Sequence, residues 1–447
     1  MIRPLIITIL RFALRIYFQR IEVTGVENVP LKAPVIFVLN HPNALVDPVF
    51  LLCLAPRRVS FLAKAPLFRM PVLGYFVRAM DSLPIYRRQD EGEDISKNQE
   101  TFVAARRLLA RGGTIGICPE GVSHDAPGLK PIKTGAARIS LAARSAGDVT
   151  ELWIVPAGLY YTSKTSFRSS ALLYFGKGIR VEPAELDSDG DPPRLAVREL
   201  STTIEKSLRD VVLDAQHDEA LHTISRAERI FSSDENENGD ETLADELRLQ
   251  QRFIKAYSVL KKDEPERVRR LVIRMRRFEE ELTQAGIDPE DLSAPSSTAA
   301  VFSHIATRIL WFSFLLAPGI AGTILHFPAY WLGGYLATRL SQDAEDVIST
   351  IKIISAMLLF PLTWLFVAIA LYPITGWLFA TASLLLIPIA GYVAILFFEE
   401  LDRSVGALRA LTFFLLRRRF FVRLLAERKA IKSEIVSLGE IGASAEK

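Results

Sequence analysis

From Glu22 to about Ala215, short apolar runs alternate with stretches whose apolar positions recur at helical spacing. VIFVL (35–39), VSFLA (59–63), TIGIC (114–118) and LWIVP (152–156) are brief, rich in β-branched residues and bounded by turn signals, which predicts buried strands. Helical patterns lie between them at 43–54, at 94–111 before Gly112-Gly113, and at 134–146 before Gly147. Strand–helix alternation of this kind predicts an α/β layer fold over 22–215.

Four segments outside that region carry other patterns. Residues 1–21 thread Arg3, Arg11, Arg15 and Arg20 through apolar residues without a small-residue cleavage site, the pattern of an amphipathic helix lying in a membrane interface. Residues 216–298 mix both signs of charge at helical spacing and read as a solvated, charged helical insertion or linker. The segment 299–403 is the membrane candidate. Ile353–Phe398 is 46 residues without a charge, and one span needs about 20, so two spans are expected, 353–372 and 377–398, with the break near Pro373–Gly376. The uncharged 309–337 contains Pro318-Gly319 and predicts a re-entrant or interfacial hairpin over 300–338 broken at that pair. Residues 404–447 form a basic amphipathic tail. Its arginine and lysine density places this end, and with it the 22–215 domain, on the cytoplasmic side of what is expected to be a bacterial inner membrane.

The formal net charge of +3 gives no global argument for nucleic acid, and none is expected as a partner. Cys53 and Cys118 lie in apolar surroundings without metal-ligand spacing, which reads as two buried thiols in a reducing compartment.

The segment NHPNALVDP (40–48) places His41 and Asp47 six positions apart just after an apolar run. Six residues on one helix subtend the wrong angle for contact, but Pro42 keeps His41 extended. A helix starting after Asn43, acting as N-cap, would carry Asp47 in its first turns, where a loop histidine could fold back onto it. On this stretch alone, Asp47 decorating a helix start is the better reading. The order of further motifs changes that balance. His-x5-Asp at a strand end, LPIYRRQ (83–89), CPEGVSHD (118–125) after a strand, and VPAGLYY (155–161) together resemble the glycerolipid acyltransferase family over roughly 22–182.

That family usually has His-x4-Asp. The longer spacing, the Ser-His-Asp after Pro-Glu-Gly and the Phe-Arg-Ser in SFRSS (166–170) are similar to the yeast-type glycerol-3-phosphate/dihydroxyacetone-phosphate acyltransferases, although Ser170 stands where that subgroup has a second arginine. The resemblance does not extend to 216–295. It implies an acyltransferase-type mixed sheet flanked by helices, followed by the charged insertion and transmembrane helices. It also implies transfer of an acyl group from acyl-CoA or acyl-carrier protein, as co-substrate, to glycerol-3-phosphate or dihydroxyacetone phosphate. A lysophospholipid acceptor, 1-acylglycerol-3-phosphate, is the alternative. No cofactor is expected.

In that chemistry the acceptor hydroxyl attacks a thioester as its proton is removed, a task for a neutral imidazole. His41 is the expected base and Asp47 its steering carboxylate. A phosphomonoester acceptor needs cations: Arg87 and Arg88 are the first candidates, and Lys130 and Lys133, just before a helix start, the next. Gly121 permits the close turn. By resemblance Glu120 belongs to the acceptor-binding motif, where it is expected to hydrogen-bond glycerol hydroxyls or to anchor an arginine such as Arg87. Ser123, His124 and Asp125 are carried over by resemblance alone. Lys64 and Gly74 could mark a membrane-facing acyl channel. His41, Asp47, Glu120, His124 and Asp125 are also metal-ligand types, but their spacing matches no metal motif and no metal is expected.

Overall fold

The computed structural model describes residues 2–126, 128–147, 149–188, 190–214, 242–286, 298–342 and 344–444. By contacts the chain divides into two units. One comprises 1–215 with 242–247 and 341–353; the other comprises 216–241, 248–340 and 354–447.

The first unit opens with helix α1 (Ile2–Tyr17), strand β1 (Arg20–Thr24), β2 (Val35–Leu39), α2 (Val46–Leu54), β3 (Ser60–Lys64), α3 (Ala65–Arg69), α4 (Pro71–Ala79) and β4 (Leu83–Ile85). It continues with α5 (Asn98–Ala110), β5 (Thr114–Ile117), α6 (Gly135–Ser145), β6 (Trp153–Tyr161), β7 (Ser170–Phe175), β8 (Ile179–Arg180) and α7 (Arg194–Arg209). The strands form one mixed sheet in the order β1-β7-β6-β2-β5-β3-β4, with β8 also on β6. The five strands β6, β2, β5, β3 and β4 run parallel, while β7 and β8 are antiparallel to β6. The expected strands at 35–39, 59–63, 114–118 and 152–156 are present.

A parallel strand is covered on both faces, so its side chains are apolar in both directions. In β2, Val35, Phe37 and Leu39 pack with α1 and α2, while Ile36 and Val38 pack with α5, α6 and α7. Every β2 residue is buried.

Helix α1 is bolted to the unit rather than merely lying alongside it. Leu14 and Tyr17 are buried, Ile6, Ile7 and Leu10 pack on the core, and Arg11 Nε donates to Cys53 O at 2.7 Å. Its opposite side exposes Ile2, Leu5, Ile9 and Phe12. The helix ends at Tyr17, so Arg20 belongs to a strand and not to the expected helix over 1–21. Arg168 of the Phe-Arg-Ser segment caps that helix end: its main-chain N–H donates to Tyr17 O at 2.7 Å and its guanidinium reaches the carbonyls of Arg15, Ile16 and Phe18.

The remaining helices are α8 (Leu243–Asp263), α9 (Pro265–Ala285), α10 (Thr298–Leu340), α11 (Glu345–Thr375), α12 (Trp377–Leu416) and α13 (Arg418–Ser444). Within the second unit, Val268, Leu271, Met275, Phe278 and Leu282 of α9 form a buried stripe with Phe421, Leu424, Ile431 and Ile435 of α13. Arg274 pairs with Glu427 (2.5 Å) and Glu434 (3.1 Å) across the same helices. The 216–298 region is therefore not simply solvated where it is described; 215–241 and 287–297 lie outside the described residues.

Among the described residues, three helices are long and apolar enough to cross a membrane: Leu310–Leu340, Glu345–Thr375 and Trp377–Asp402. The hairpin expected to break at Pro318-Gly319 is absent, because α10 continues through both Pro318 and Pro328. Close packing replaces the break. A side chain at Gly319 would collide with Phe397, and one at Gly322 with the Ala390 backbone. His326 has both ring nitrogens occupied: Trp364 Nε1–H donates to Nε2 (2.8 Å), so Nδ1 carries the proton and donates to Gly322 O (2.8 Å).

Candidate active site

The site collects at the carboxyl ends of the parallel strands, where open α/β sheets bind ligands. His41 follows β2, Lys64 ends β3, Arg87 follows β4, Glu120 follows β5 and Tyr161 ends β6. Residues far apart in the chain thereby share one edge.

Beyond the last paired residue of β2, the Asn40 amide pairs with both main-chain groups of Leu159 (2.9 and 2.8 Å), extending the β2–β6 contact. His41 is then clamped by main-chain bonds on both sides. Its N–H donates to Glu120 Oε1 (2.9 Å), and its carbonyl accepts from His124 N (3.2 Å). Helix α2 begins at Val46, later than the expected start after Asn43. Pro42 disfavours helix at His41, and Ala44 sits at a φ of 29°. Asn43 closes this turn through its carbonyl, which accepts from Val46 N and Asp47 N, rather than as a side-chain N-cap; its amide donates to Lys164 O instead.

Asp47 is fully buried and holds three donors. Its Oδ2 accepts from Asn43 N (2.7 Å) and from His41 Nδ1 (2.9 Å), and its Oδ1 accepts from the Tyr161 hydroxyl (2.7 Å). The loop histidine does fold back onto the helix carboxylate. Burial, and then the Asp47 charge, hold the Tyr161 phenol well above its ordinary range, so it stays a donor. Burial is the largest influence on the His41 ring and disfavours its charged form. The neighbouring Cys118 sulfur and the Asp47 carboxylate outweigh it and hold the imidazole well above the ordinary histidine value. With Nδ1 on Asp47, Nε2 is the nitrogen that would accept a proton; the Cys118 thiol is also within hydrogen-bond reach of the ring, and the side chain keeps 18% of its surface open.

Glu120 is 3% exposed and has protein donors at both oxygens. Besides His41 N at Oε1, Oε2 accepts from Lys130 N (2.8 Å) and from His124 Nε2. Of its two expected roles, anchoring Arg87 is not what it does; its oxygens instead hold the His41 loop onto the Pro-Glu-Gly turn. Arg87 is anchored by Asp90, with Nε to Oδ2 at 2.8 Å and Nη2 to Oδ1 at 2.6 Å, and by Gly121 O at 2.6 Å. Gly121 has a φ of 76°, which favours glycine, and the Lys133 ammonium end lies against it, 2.4 Å from where a Cβ would sit. Lys64 lies opposite Ile85 in the β3–β4 pairing. Arg87, Lys64 and Lys133 all act on Asp90 and, led by the Arg87 hydrogen bond, hold its carboxyl below the usual range.

Of the other expected residues, Ser123 and Lys130 are half-buried on the same loop, and Arg88 is exposed. His124 pairs with Glu120, while Asp125 accepts from Glu345 N at 3.2 Å. Gly74 is a packing glycine: a side chain there would meet Phe68 O. Sequence reasoning missed Asn40, Asp90 and Tyr161. For Asn40 and Tyr161 the only advance signal is a polar residue at or just beyond a strand's carboxyl end; Asp90, well past the end of β4, has none.

The two cysteines differ, contrary to the reading of both as buried. Cys53 is buried, which pushes its thiol up to about 12. Cys118 is half-buried against His41. Iodoacetamide near neutral pH is therefore expected to alkylate Cys118 and stop turnover while sparing Cys53, because the thiolate is the reactive form. Peptide mass mapping checks this, and Cys53 reacting first would contradict it.

Residues 20–160 match the family described as Acyltransferase, and residues 223–441 match the Glycerol-3-phosphate acyltransferase 2 C-terminal domain. The chain thus carries an acyltransferase domain followed by a region like the C-terminal domain of Glycerol-3-phosphate acyltransferase 2, and the likeness covers 223–295 of the region that the motifs alone left out. Among its relatives are two proteins of Saccharomyces cerevisiae. Glycerol-3-phosphate O-acyltransferase 2 is 30% identical over 66% of this chain and 39% of the yeast protein; Glycerol-3-phosphate O-acyltransferase 1 is 24% identical over 78% of this chain and 58% of the yeast protein. The chain thus spans well under two thirds of either relative's length. The 1-acyl-sn-glycerol-3-phosphate acyltransferase of Borreliella burgdorferi is 28% identical over 36% of this chain and 58% of that protein.

Proposed function

We propose that this membrane protein transfers a fatty acyl group from acyl-CoA or acyl-carrier protein to a hydroxyl of glycerol-3-phosphate or dihydroxyacetone phosphate, a step of phospholipid synthesis. The observation that carries this reading is a buried-carboxylate histidine, His41 on Asp47, beside the cations Lys64, Arg87 and Lys133 at one sheet edge. The cations bind the acceptor's phosphate. Nε2 of His41 takes the proton of its hydroxyl as that oxygen attacks the thioester carbonyl, and Asp47 stabilises the imidazolium formed. The tetrahedral intermediate re-forms its carbonyl by breaking the carbon–sulfur bond, and the imidazolium returns its proton to the departing thiolate, a good leaving group, so no enzyme nucleophile is required.

The finer placement, on the cytoplasmic side of a bacterial inner membrane, rests on the arginine-rich sequence after Asp402. The exposed Ile2, Leu5, Ile9 and Phe12 give α1 a face suited to the lipid interface from which the acylated product departs. Lysophosphatidate is also a phosphomonoester, so the same cations suit the alternative acceptor. Competition separates the two readings: purified full-length protein in detergent receives labelled acyl-CoA with glycerol-3-phosphate, dihydroxyacetone phosphate and lysophosphatidate together. Acylated glycerol-3-phosphate or dihydroxyacetone phosphate should dominate. Phosphatidate as sole product would favour the alternative, and no acyl transfer would sink both.

A further inference from the structure

In the Arg87–Asp90 pair the carboxylate takes both ends of the guanidinium fork, Nε and Nη2, at 2.8 and 2.6 Å. This is the two-point geometry by which arginine also grips phosphate oxygens. The pair is secluded, with the two side chains 18% and 12% exposed. Lys64, from the end of β3, and Lys133, from the segment before α6, direct their charges at the same carboxylate. One monoanion is thus bonded to Arg87 with two exposed lysines in electrostatic reach, and Gly121, which touches both Arg87 and Lys133, is one residue from the glutamate that holds His41. Asp90 sits in a tight turn, with its N–H on Arg87 O (3.1 Å) and its carbonyl accepting from Glu93 N (3.3 Å). Two residues on, Gly92 has a φ of 72° and open space around its α-carbon.

We propose that Asp90 is a placeholder for the acceptor's phosphate and thereby a specificity-determining residue: an incoming phosphate must displace its carboxylate from Arg87, and only a phosphomonoester brings more charge than it displaces. A phosphomonoester near neutral pH carries about 1.5 to 2 negative charges, so the exchange gains attraction to three cations. A phosphodiester carries one, so it exchanges like for like and gains nothing to offset the lost Asp90 contacts. The site then rejects glycerol phosphodiesters that bear the same free hydroxyls. This inference rests on the function proposed above.

The test compares glycerol-3-phosphate with glycerophosphoglycerol as acceptors for the full-length protein and for Asp90→Asn. The variant should lower KM for the diester at least tenfold with kcat little changed, narrowing the monoester-to-diester ratio of kcat/KM by a similar factor. A rise in KM for glycerol-3-phosphate with no gain on the diester would overturn the proposal and leave Asp90 as a prop for Arg87. If Asp90→Asn does not fold, the wild type still decides. Inorganic phosphate should compete with glycerol-3-phosphate far better than glycerophosphoglycerol does, and equal competition would overturn the proposal. Wild-type protein that acylates glycerol-3-phosphate but fails these tests refutes only this inference; wild-type protein that acylates nothing refutes the function beneath it.

Discussion

His41→Ala should lower acyl-transfer turnover by about 10²–10⁴-fold, the usual contribution of a positioned general base, while leaving the fold and the KM for the phosphorylated acceptor nearly unchanged. The loop survives because its anchors are main-chain groups: His41 N on Glu120 and His41 O on His124 N do not depend on the imidazole. Asp47 keeps two of its three donors, Asn43 N–H and the Tyr161 hydroxyl, so it is not left as an unpaired buried charge. Acceptor affinity should persist because Lys64, Arg87 and Lys133 do not contact the ring's bonding partners. Steady-state rates beside a thermal unfolding curve of the detergent-solubilised protein check all three points. A variant with wild-type turnover would remove His41 from the chemistry.

Glu120→Ala should damage stability and activity together. The carboxylate satisfies His41 N, Lys130 N and His124 Nε2 inside the fold, and alanine leaves all three without it. Each buried donor left unpaired costs about 1–3 kcal/mol, so a loss of several kcal/mol, short of the simple sum because water can enter, is the expected scale. Glu120→Gln should be intermediate. Its carbonyl can replace one oxygen, but its NH₂ is a donor facing donors. Because the same carboxylate fixes the His41 main chain, residual activity should fall further than the unfolded fraction explains. The measurement is a melting temperature together with specific activity of the folded fraction; alanine at this position as stable as wild type would show that the Glu120 bonds hold nothing.

How far the sequence disclosed this structure depends on how local each feature is. The strands β2, β3, β5 and β6 were legible because burial on both faces of a parallel sheet makes them short, apolar and β-branched. Strand β1, RIEVT, carries charge and lies at the sheet edge, and β4 is only LPI, with a proline tolerated at an edge, so neither gives that signal. His41 and Asp47 could be paired in advance because a proline and a helix start fix the geometry within a few residues. Tyr161 and Asn40 could not. They reach the site because β6 lies beside β2, an ordering that no local pattern encodes.

Asp90 was missed for the opposite reason: a carboxylate among arginines on a polar stretch looks like ordinary surface until its seclusion is seen. The charged 216–298 region read as solvated because charges dominate its composition. Yet Val268, Leu271, Met275, Phe278 and Leu282 recur at steps of three and four, the stripe that buries against α13. Pro318 suggested a break, but a helix among apolar neighbours has more to lose by exposing its backbone than by forgoing one hydrogen bond.

The central claim is that Asp47 steers His41 to take the acceptor's proton, and the pH dependence of kcat/KM with glycerol-3-phosphate, measured for wild type and Asp47→Asn, tests it most directly. The base must be neutral to act, and Cys118 and Asp47 hold the ring above the ordinary histidine value. Wild-type kcat/KM should therefore rise with pH through an enzyme ionisation lying above about 6.5, separate from the acceptor phosphate's own second ionisation at about 6. In Asp47→Asn that ionisation should move down and the plateau should drop, by as much as about 10⁴-fold if the ring turns to the wrong tautomer. A flat wild-type profile, or an Asp47→Asn variant that keeps both the wild-type plateau and its midpoint, would contradict the account.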